Sequence, residues 1–481
     1  MGARRASSLA SAEATPAEGF CAGATFLAAI ADARKLQMFH RLRPLRRPLA
    51  AIAAGGTAFV ASQLMDNRPA LSAQKPAPAP KLFCWGRLVP SDAAQVPYRA
   101  REPVDVDFWA SRGARVAQIC YGDDHGAALD DRGALWVWGG DAGPLPRRLP
   151  CRASVRAIAS SSSALYAVTS RGHVLEWADL GARLKPNAAL PPEPSPLGGD
   201  LARVTATAVA AGGAHALAVG KNGELCAWGD NSHGQLGLGA AGAAAVASPT
   251  LVGALPSPAA AAACGGGHSV VALRDGSCVA FGDDRNLQLG VRPATVKALR
   301  DGAPAVATPT TVRLPAGKRA VAVAAGGGGL EGGHTAFVLR DAAAGDGAAD
   351  ELWACGHGRW GQLGLKAYTH VSEPKALSAL RGLVEYDEAA GRVKPIRIDG
   401  LACGERHTAA LLSTGNVFTW GWNDDGQLGA SSGGGGSGGS NAKPTMLTRP
   451  KELRWGRMTG IACGPTSTAV WGDAGAPENL L

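Results

Sequence analysis

Nine histidines lie beyond residue 81, several among Asp, Asn, Gln and glycine. Such mixtures can bind a metal, shuttle a proton or cradle a phosphate. The densest case is CAWGDNSHGQLGLG, residues 226–239. Each of these chemistries makes a demand. A general base or metal centre is one asymmetric constellation, and a phosphate loop needs Lys-Ser/Thr after its glycines. This phrase recurs instead. FGDDRNLQLG begins at Phe281, CGHGRWGQLG at Cys355 and WGWNDDGQLG at Trp420.

The spacing within each copy is fixed. Seven residues separate the aromatic, or its substitute, from the glutamine in all four: Trp228 to Gln235, Phe281 to Gln288, Cys355 to Gln362 and Trp420 to Gln427. A second phrase precedes it, ending at His215, His268 and His407, each thirteen residues before its aromatic. His125 keeps that offset to Trp138, and Ala164 keeps it to Trp177 although the histidine is gone. His334 lies twenty-one residues before Cys355, because DAAAGDGAADE widens the turn. A residue type held at one place in every copy is a structural post rather than a reactive group. We therefore read His125, His215, His268, His334, His407, Trp85, Trp138, Trp177, Trp228, Trp420, Gln235, Gln288, Gln362 and Gln427 as repeat scaffolding, and expect no catalytic residue, cofactor or metal.

The elements that must hold these posts are short strands. One unit reads VTATAVAAGG, then HALAV, a turn at Lys-Asn-Gly, ELCAWG, the Gly-Gln-Leu-Gly turn, and a strand around Ser-Pro-Thr. Four strands in about fifty residues is the pattern of a propeller blade. Pro249, Pro309 and Pro444 are expected to begin the fourth strand, where a missing N–H costs little. Seven histidine-type positions exist, ending at Ser467, and seven aromatic strands, beginning with LFCWG at residues 82–86. The first aromatic strand has no histidine phrase before it, and the last histidine phrase has no aromatic strand after it. Pairing Trp85 with residues 468–470 in one shared blade would close an all-β, seven-bladed ring and remove the open edge. The second and third units are degenerate: residues 160–164 replace Gly-x-x-His, and residues 180–199 lack Gly-Gln-Leu-Gly.

Charge and cysteine usage narrow the function classes. The net charge is +9, but residues 1–81 carry eleven Lys/Arg against four acids, which leaves about +2 for the remaining 400 residues. A near-neutral domain offers no broad footprint for a phosphate backbone and argues against nucleic acid. The ten cysteines form no CxxC pair, and several sit at fixed repeat positions, as buried apolar residues would in a reducing compartment. The leader divides into residues 1–47, basic and organelle-targeting; 48–65, uncharged and a candidate single membrane anchor; and 66–81, a Pro/Ala linker. Six basic residues and no acid lie between Arg34 and Arg47. The propeller is expected over residues 82–474, with a tail at 475–481.

The Gly-x-x-His, Trp-Gly and Gly-Gln-Leu-Gly phrases at these separations resemble the regulator-of-chromosome-condensation repeat family, over about residues 82–474. The resemblance implies a seven-bladed propeller and several unlike functions: nucleotide exchange on a small GTPase, mitochondrial biogenesis, or ultraviolet-B sensing. The sensing motif would fall at residues 404–408, which read GERHT with Glu405 in place of the tryptophan, so that reading is poor. The basic leader favours the mitochondrial members.

Function in a propeller lies in its loops and faces. Asp123, Asp124, Glu405 and Arg406 occupy the variable places before the histidine and are expected to share one rim. Residues 368–397 and 285–307 are the insertions. The expected function is that of a non-enzymatic, monomeric mitochondrial scaffold, with inner-membrane association, assisting assembly of a respiratory or ribosomal complex. The alternative is a guanine-nucleotide exchange factor for a small GTPase.

Overall fold

The computed structural model describes residues 52–54, 80–91, 99–239, 241–242, 245–253, 255–291, 305–328, 331–344, 348–387, 391–429, 439–447 and 457–473. Two compact units divide the chain. One comprises Arg47–Glu385 with Val393–Leu481, and the other Met1–Arg46 with Tyr386–Arg392. The first unit is the propeller.

Its seven sheets follow the chain in order. Blade one runs from Val116–Tyr121 to Arg147–Leu149, and blade two from Val155–Ser160 to Val174–Trp177. Blade three runs from Ala206–Ala211 to Val246–Leu251, blade four from Ala259–Cys264 to Val306–Thr311, and blade five from Lys318–Gly328 to Val371–Ala376. Blade six runs from Ile398–Cys403 to Asn441–Met446. Blade seven is shared: Arg457–Cys463 and Ser467–Asp473 pair with Pro80–Arg87 and Arg99–Asp105. The closing register sets Trp85 opposite Thr468 and Phe83 opposite Val470, as the strand count requires. The closing strand begins at Pro80, two residues before the expected boundary.

Two sequence readings are corrected. Both degenerate phrases fall in blade two, which has three strands rather than four, with the short helix Leu180–Arg183 after its third strand. Pro249, Pro309 and Pro444 lie inside the outer strands rather than at their starts. There the ladder breaks register anyway: Gly229 pairs with Val246, but the next pair is Ala227 with Thr250. An edge strand at such an irregularity loses little by lacking an N–H.

Two inner strands are built largely from small residues, ATAVAA at Ala206–Ala211 and AAAAAC at Ala259–Cys264. Alanine favours helix by intrinsic propensity, yet here the backbone bonds go to a neighbouring strand. Each inner strand carries a bulge at the same place, for example between Ala206 and Ala208, Ala259 and Ala261, and Ile398 and Gly400. The bulge adds local twist to the strand nearest the axis.

The expected anchor at 48–65 lies outside the described residues except for Ile52–Ala54, a strand paired in parallel with Ala322–Ala324 of blade five. No helix among the described residues is long and apolar enough to cross a membrane.

Candidate functional site

Four of the five repeat histidines open the second strands of their blades, His334 is the fourth residue of Glu331–Asp341, and all five are fully buried. Two glycines make room for each. The glycine of Trp-Gly lies opposite the histidine with positive φ, and a Cβ on Gly229 would meet the backbone of Ala214 and His215 at 2.4 and 2.7 Å. The glycine of Gly-x-x-His lies under the ring, where a Cβ on Gly404 would meet His407 Cε1 at 2.2 Å; for His334, preceded by Glu-Gly-Gly, Gly326 takes that place.

Each ring then reaches the next blade. His215 Nε2 lies 2.9 Å from Ser269 Oγ, His268 Nε2 3.1 Å from Thr335 Oγ1, His334 Nε2 3.0 Å from Thr408 Oγ1, and His407 Nε2 3.0 Å from Thr468 Oγ1. Those hydroxyls donate onward to the glutamine carbonyls of the blade that carries the histidine. Ser269 Oγ reaches Gln235 O at 2.8 Å, Thr335 Oγ1 reaches Gln288 O at 2.6 Å, Thr408 Oγ1 reaches Gln362 O at 2.9 Å, and Thr468 Oγ1 reaches Gln427 O at 2.9 Å. A hydroxyl has one proton to give, so it accepts from the imidazole, which fixes the Nε2–H tautomer. Burial pushes His215 down to about 4 and His268 and His407 down to about 3, so these rings stay neutral at physiological pH. Tryptophan adds a second donor: Trp420 Nε1 bonds Gln362 O, and Trp85 Nε1 bonds Gln427 O, both at 2.8 Å. At Gln288 O the thiol of Cys355 stands in for the indole, at 3.6 Å. Trp138 Nε1 instead bonds Leu88 O at 2.7 Å, because blade seven has no Gly-Gln-Leu-Gly turn. These residues weld blade to blade.

The hydroxyl was the part that sequence reading missed. It follows the histidine in the next repeat, at Ser269, Thr335, Thr408 and Thr468. Where a blade has lost its histidine, the next blade has lost the hydroxyl: Ala164 is followed by Ala216, and Ser467 by Gly126. His125 faces Leu165 in that place and takes Ser160 Oγ instead, at 3.2 Å.

The loops just before the histidines form the mouth of the central channel, a cavity of about 530 Å³. Backbone bonds tie neighbouring loops together. Asp123 N donates to Ser162 O at 2.9 Å, Ser162 N to Gly213 O at 3.0 Å, Gly327 N to Gly404 O at 3.1 Å and Glu405 N to Pro465 O at 3.2 Å. Glycines at 212, 213, 327, 328, 404 and 464 keep the mouth open, and its charged lining is Arg87, Asp123, Glu405 and Arg406. Burial raises the Asp123 carboxyl above the ordinary range, against an opposing bond from Ser162. Of the four expected rim residues, Asp123, Glu405 and Arg406 meet at this mouth. Asp124 does not line it. Its carboxylate sits 3.3 Å from His125 Nδ1, which holds its pKa below the ordinary value, and it faces Gly181 of blade two.

Beside the mouth, the turns of blades five and six bring two tryptophans together. Trp360 and Trp422 meet edge to face with centroids 4.3 Å apart, and the Arg406 guanidinium lies 5.5 and 5.9 Å from the two rings. Glu405 Oε1 is 3.5 Å from Arg406 Nη2. The neighbouring His357 and His370 rings meet at 4.5 Å. Burial lowers His357 to about 4, with His370, His334, Arg359 and Arg406 adding to the shift. Burial and Arg359 lower His370. Among the described residues no group of three His, Cys, Asp or Glu could hold a metal ion.

The regulator of chromosome condensation (RCC1) repeat model matches residues 222–272, 349–411 and 414–471, and a second model of that repeat matches 206–235 and 398–427. The Arabidopsis thaliana RCC1 domain-containing protein RUG3, mitochondrial, is 26% identical over 393 residues, 73% of this chain and 79% of that one. The human probable E3 ubiquitin-protein ligase HERC4 is 27% identical over 225 residues, 47% of this chain. The chain spans only 18% of the length of that relative. The mouse secretion-regulating guanine nucleotide exchange factor is 32% identical over 234 residues, 39% of this chain and 49% of that one. Among solved structures, Prp20p of Saccharomyces cerevisiae superposes with a TM-score of 0.65 at 18% identity, covering 84% of this chain and 93% of that one. The chain is thus a closed propeller built from regulator of chromosome condensation repeats, matched over residues 206–272 and 349–471.

Proposed function

We propose that this chain is a non-catalytic mitochondrial propeller that assists assembly or biogenesis of an inner-membrane respiratory or ribosomal complex through protein contacts. The observation that carries the reading is the alignment with the mitochondrial Arabidopsis relative, which runs through most of both chains. Arg34 to Arg47, six basic residues and no acid, supports an organellar address. The histidines that could have signalled catalysis are spent on joining blades, which leaves the channel mouth and its rim as the working surface. Inner-membrane association belongs to the same proposal.

The test is crosslinking of the tagged full-length protein in intact cells, with organelle fractionation and mass spectrometry of the partners. Respiratory or ribosomal subunits crosslinked to the channel-mouth face are the expected result. A cytosolic protein, or one without such partners, overturns the reading. The exchange-factor reading rests on the mouse relative and on Prp20p, whose structure was described with its binding to Gsp1p and histones. Accelerated release of labelled GDP from a co-purifying GTPase would establish it.

A further inference from the structure

We propose that Arg406, braced by Trp360 and Trp422 at the lip of the channel mouth, is the anchor of a docking site for an acidic segment of a protein partner. The inference rests on reading the chain as a protein-binding propeller and names the surface and the partner chemistry.

Three features converge. First, the guanidinium is positioned before any partner arrives. It lies over two rings that meet edge to face, an arrangement with little rotamer freedom left to lose on binding. Second, its charge is only weakly answered. The Glu405 contact is single and 3.5 Å long, and about a third of the Arg406 side chain stays exposed. Arg359 stands nearby and, like Arg406, adds to the lowering of His357 that burial dominates. Of the two acids on the adjacent turn, Asp424 and Asp425, the second is engaged by Arg99 at 2.9 Å. Third, Arg406 Nε and Trp360 Nε1 are buried donors without a hydrogen-bond partner among the described residues. Leaving a buried donor unsatisfied is unfavourable, and a small outward movement of the guanidinium would offer both to an incoming oxygen.

A carboxylate fits this fork in the bidentate manner that arginine favours, while its neighbouring apolar side chain covers the tryptophans. Arginine and tryptophan are among the residues that dominate protein interfaces. The adjoining mouth of about 530 Å³ has room for a loop.

The probe is a fluorescein-labelled peptide Gly-Asp-Phe-Asp-Gly, titrated into the full-length protein by anisotropy, with Gly-Asn-Phe-Asn-Gly as control. Saturable binding of the acidic peptide alone is expected. It should weaken by at least about tenfold in Arg406→Gln and in Trp422→Leu, and stay unchanged in Arg313→Gln on a separate cleft. Arg406→Lys keeps the charge but loses the fork, and should give an intermediate value in a protein with unaltered circular dichroism. Equal binding of both peptides, insensitivity to Arg406→Gln, or displacement by inorganic phosphate at matched ionic strength would overturn the proposal. Crosslinking of Arg406→Gln in cells separates the two readings. Mitochondrial partners retained by the variant would remove this surface and leave the assembly role standing, whereas their absence from the unaltered protein would remove the assembly role itself.

Discussion

Asp284 occupies a place where two other blades use asparagine, and replacing it should stabilise the protein in a pH-dependent way. In the Gly-Gln-Leu-Gly turns, Asn231 Oδ1 accepts Leu236 N at 3.1 Å and Asn423 Oδ1 accepts Leu428 N at 2.9 Å. Asp284 Oδ1 accepts Leu289 N in the same way at 3.0 Å, but it is a carboxyl only 3% exposed. Burial pushes its pKa up from 3.8 to about 7; the Leu289 N–H opposes the shift and the nearby Asp283 adds to it. That preference for the neutral acid corresponds to about 4 kcal/mol. The folded pKa lies above the unfolded one, so the folded state binds more protons between about pH 4 and 7. Stability at this site is therefore full below pH 4 and declines until about pH 7. Asp284→Asn keeps the acceptor and does not titrate. Its added NH2 costs about 1–3 kcal/mol at every pH if no partner forms, so the net gain at pH 8 should be about 1–3 kcal/mol. The gain should disappear or reverse at pH 4.5. Urea unfolding of both proteins at pH 4.5, 6 and 8, followed by tryptophan fluorescence, measures the difference. The buried histidines titrate alike in both proteins and cancel. A stability difference that is the same at pH 4.5 and 8 would refute the reasoning.

Four further outcomes follow from the relay. Thr468→Val leaves the His407 Nε2–H and one lone pair of Gln427 O unsatisfied across the closing blade, and should cost about 1–3 kcal/mol in urea unfolding, with Thr468→Ser close to neutral. Trp85→Phe removes the other donor to Gln427 O; combined with Thr468→Val it should deviate from additivity, since both act on one carbonyl. His215, His268 and His407 have folded pKa values below their ordinary 6.5, so stability should be full above about pH 6.5 and fall as the pH drops toward 4, read as an acid-side decline of the urea midpoint. Gly404→Ala would set a methyl 2.2 Å from His407 Cε1 and 2.4 Å from Gly464 O, and should destabilise by more than about 2 kcal/mol or prevent folding.

What the sequence alone determines here is whatever repeats. The seven-residue and thirteen-residue offsets define the blades, and the unmatched aromatic strand at one end and histidine phrase at the other define how the ring closes. Both are one-dimensional periodicities, which is why the sequence alone suffices to pair Trp85 with Thr468. The assignment of histidine, tryptophan and glutamine to scaffolding also came from their regularity, but not the reason for it. The relay from His407 through Thr468 to Gln427 joins residues 61 and 41 positions apart, and no local pattern announces it. Only the radial stacking of sheets brings a side chain of one blade against the carbonyl of another. The alanine run at 259–264 is likewise a strand because its backbone bonds go to the neighbouring strand of the blade, against alanine's own preference. The rim shows the same division. Sequence position grouped Asp123, Asp124, Glu405 and Arg406, but neighbours along a chain turn different ways. The fold gathers Asp123, Glu405 and Arg406 at the channel mouth, points Asp124 toward blade two, and adds Trp360 and Trp422 from turns that nothing in the sequence connects to them.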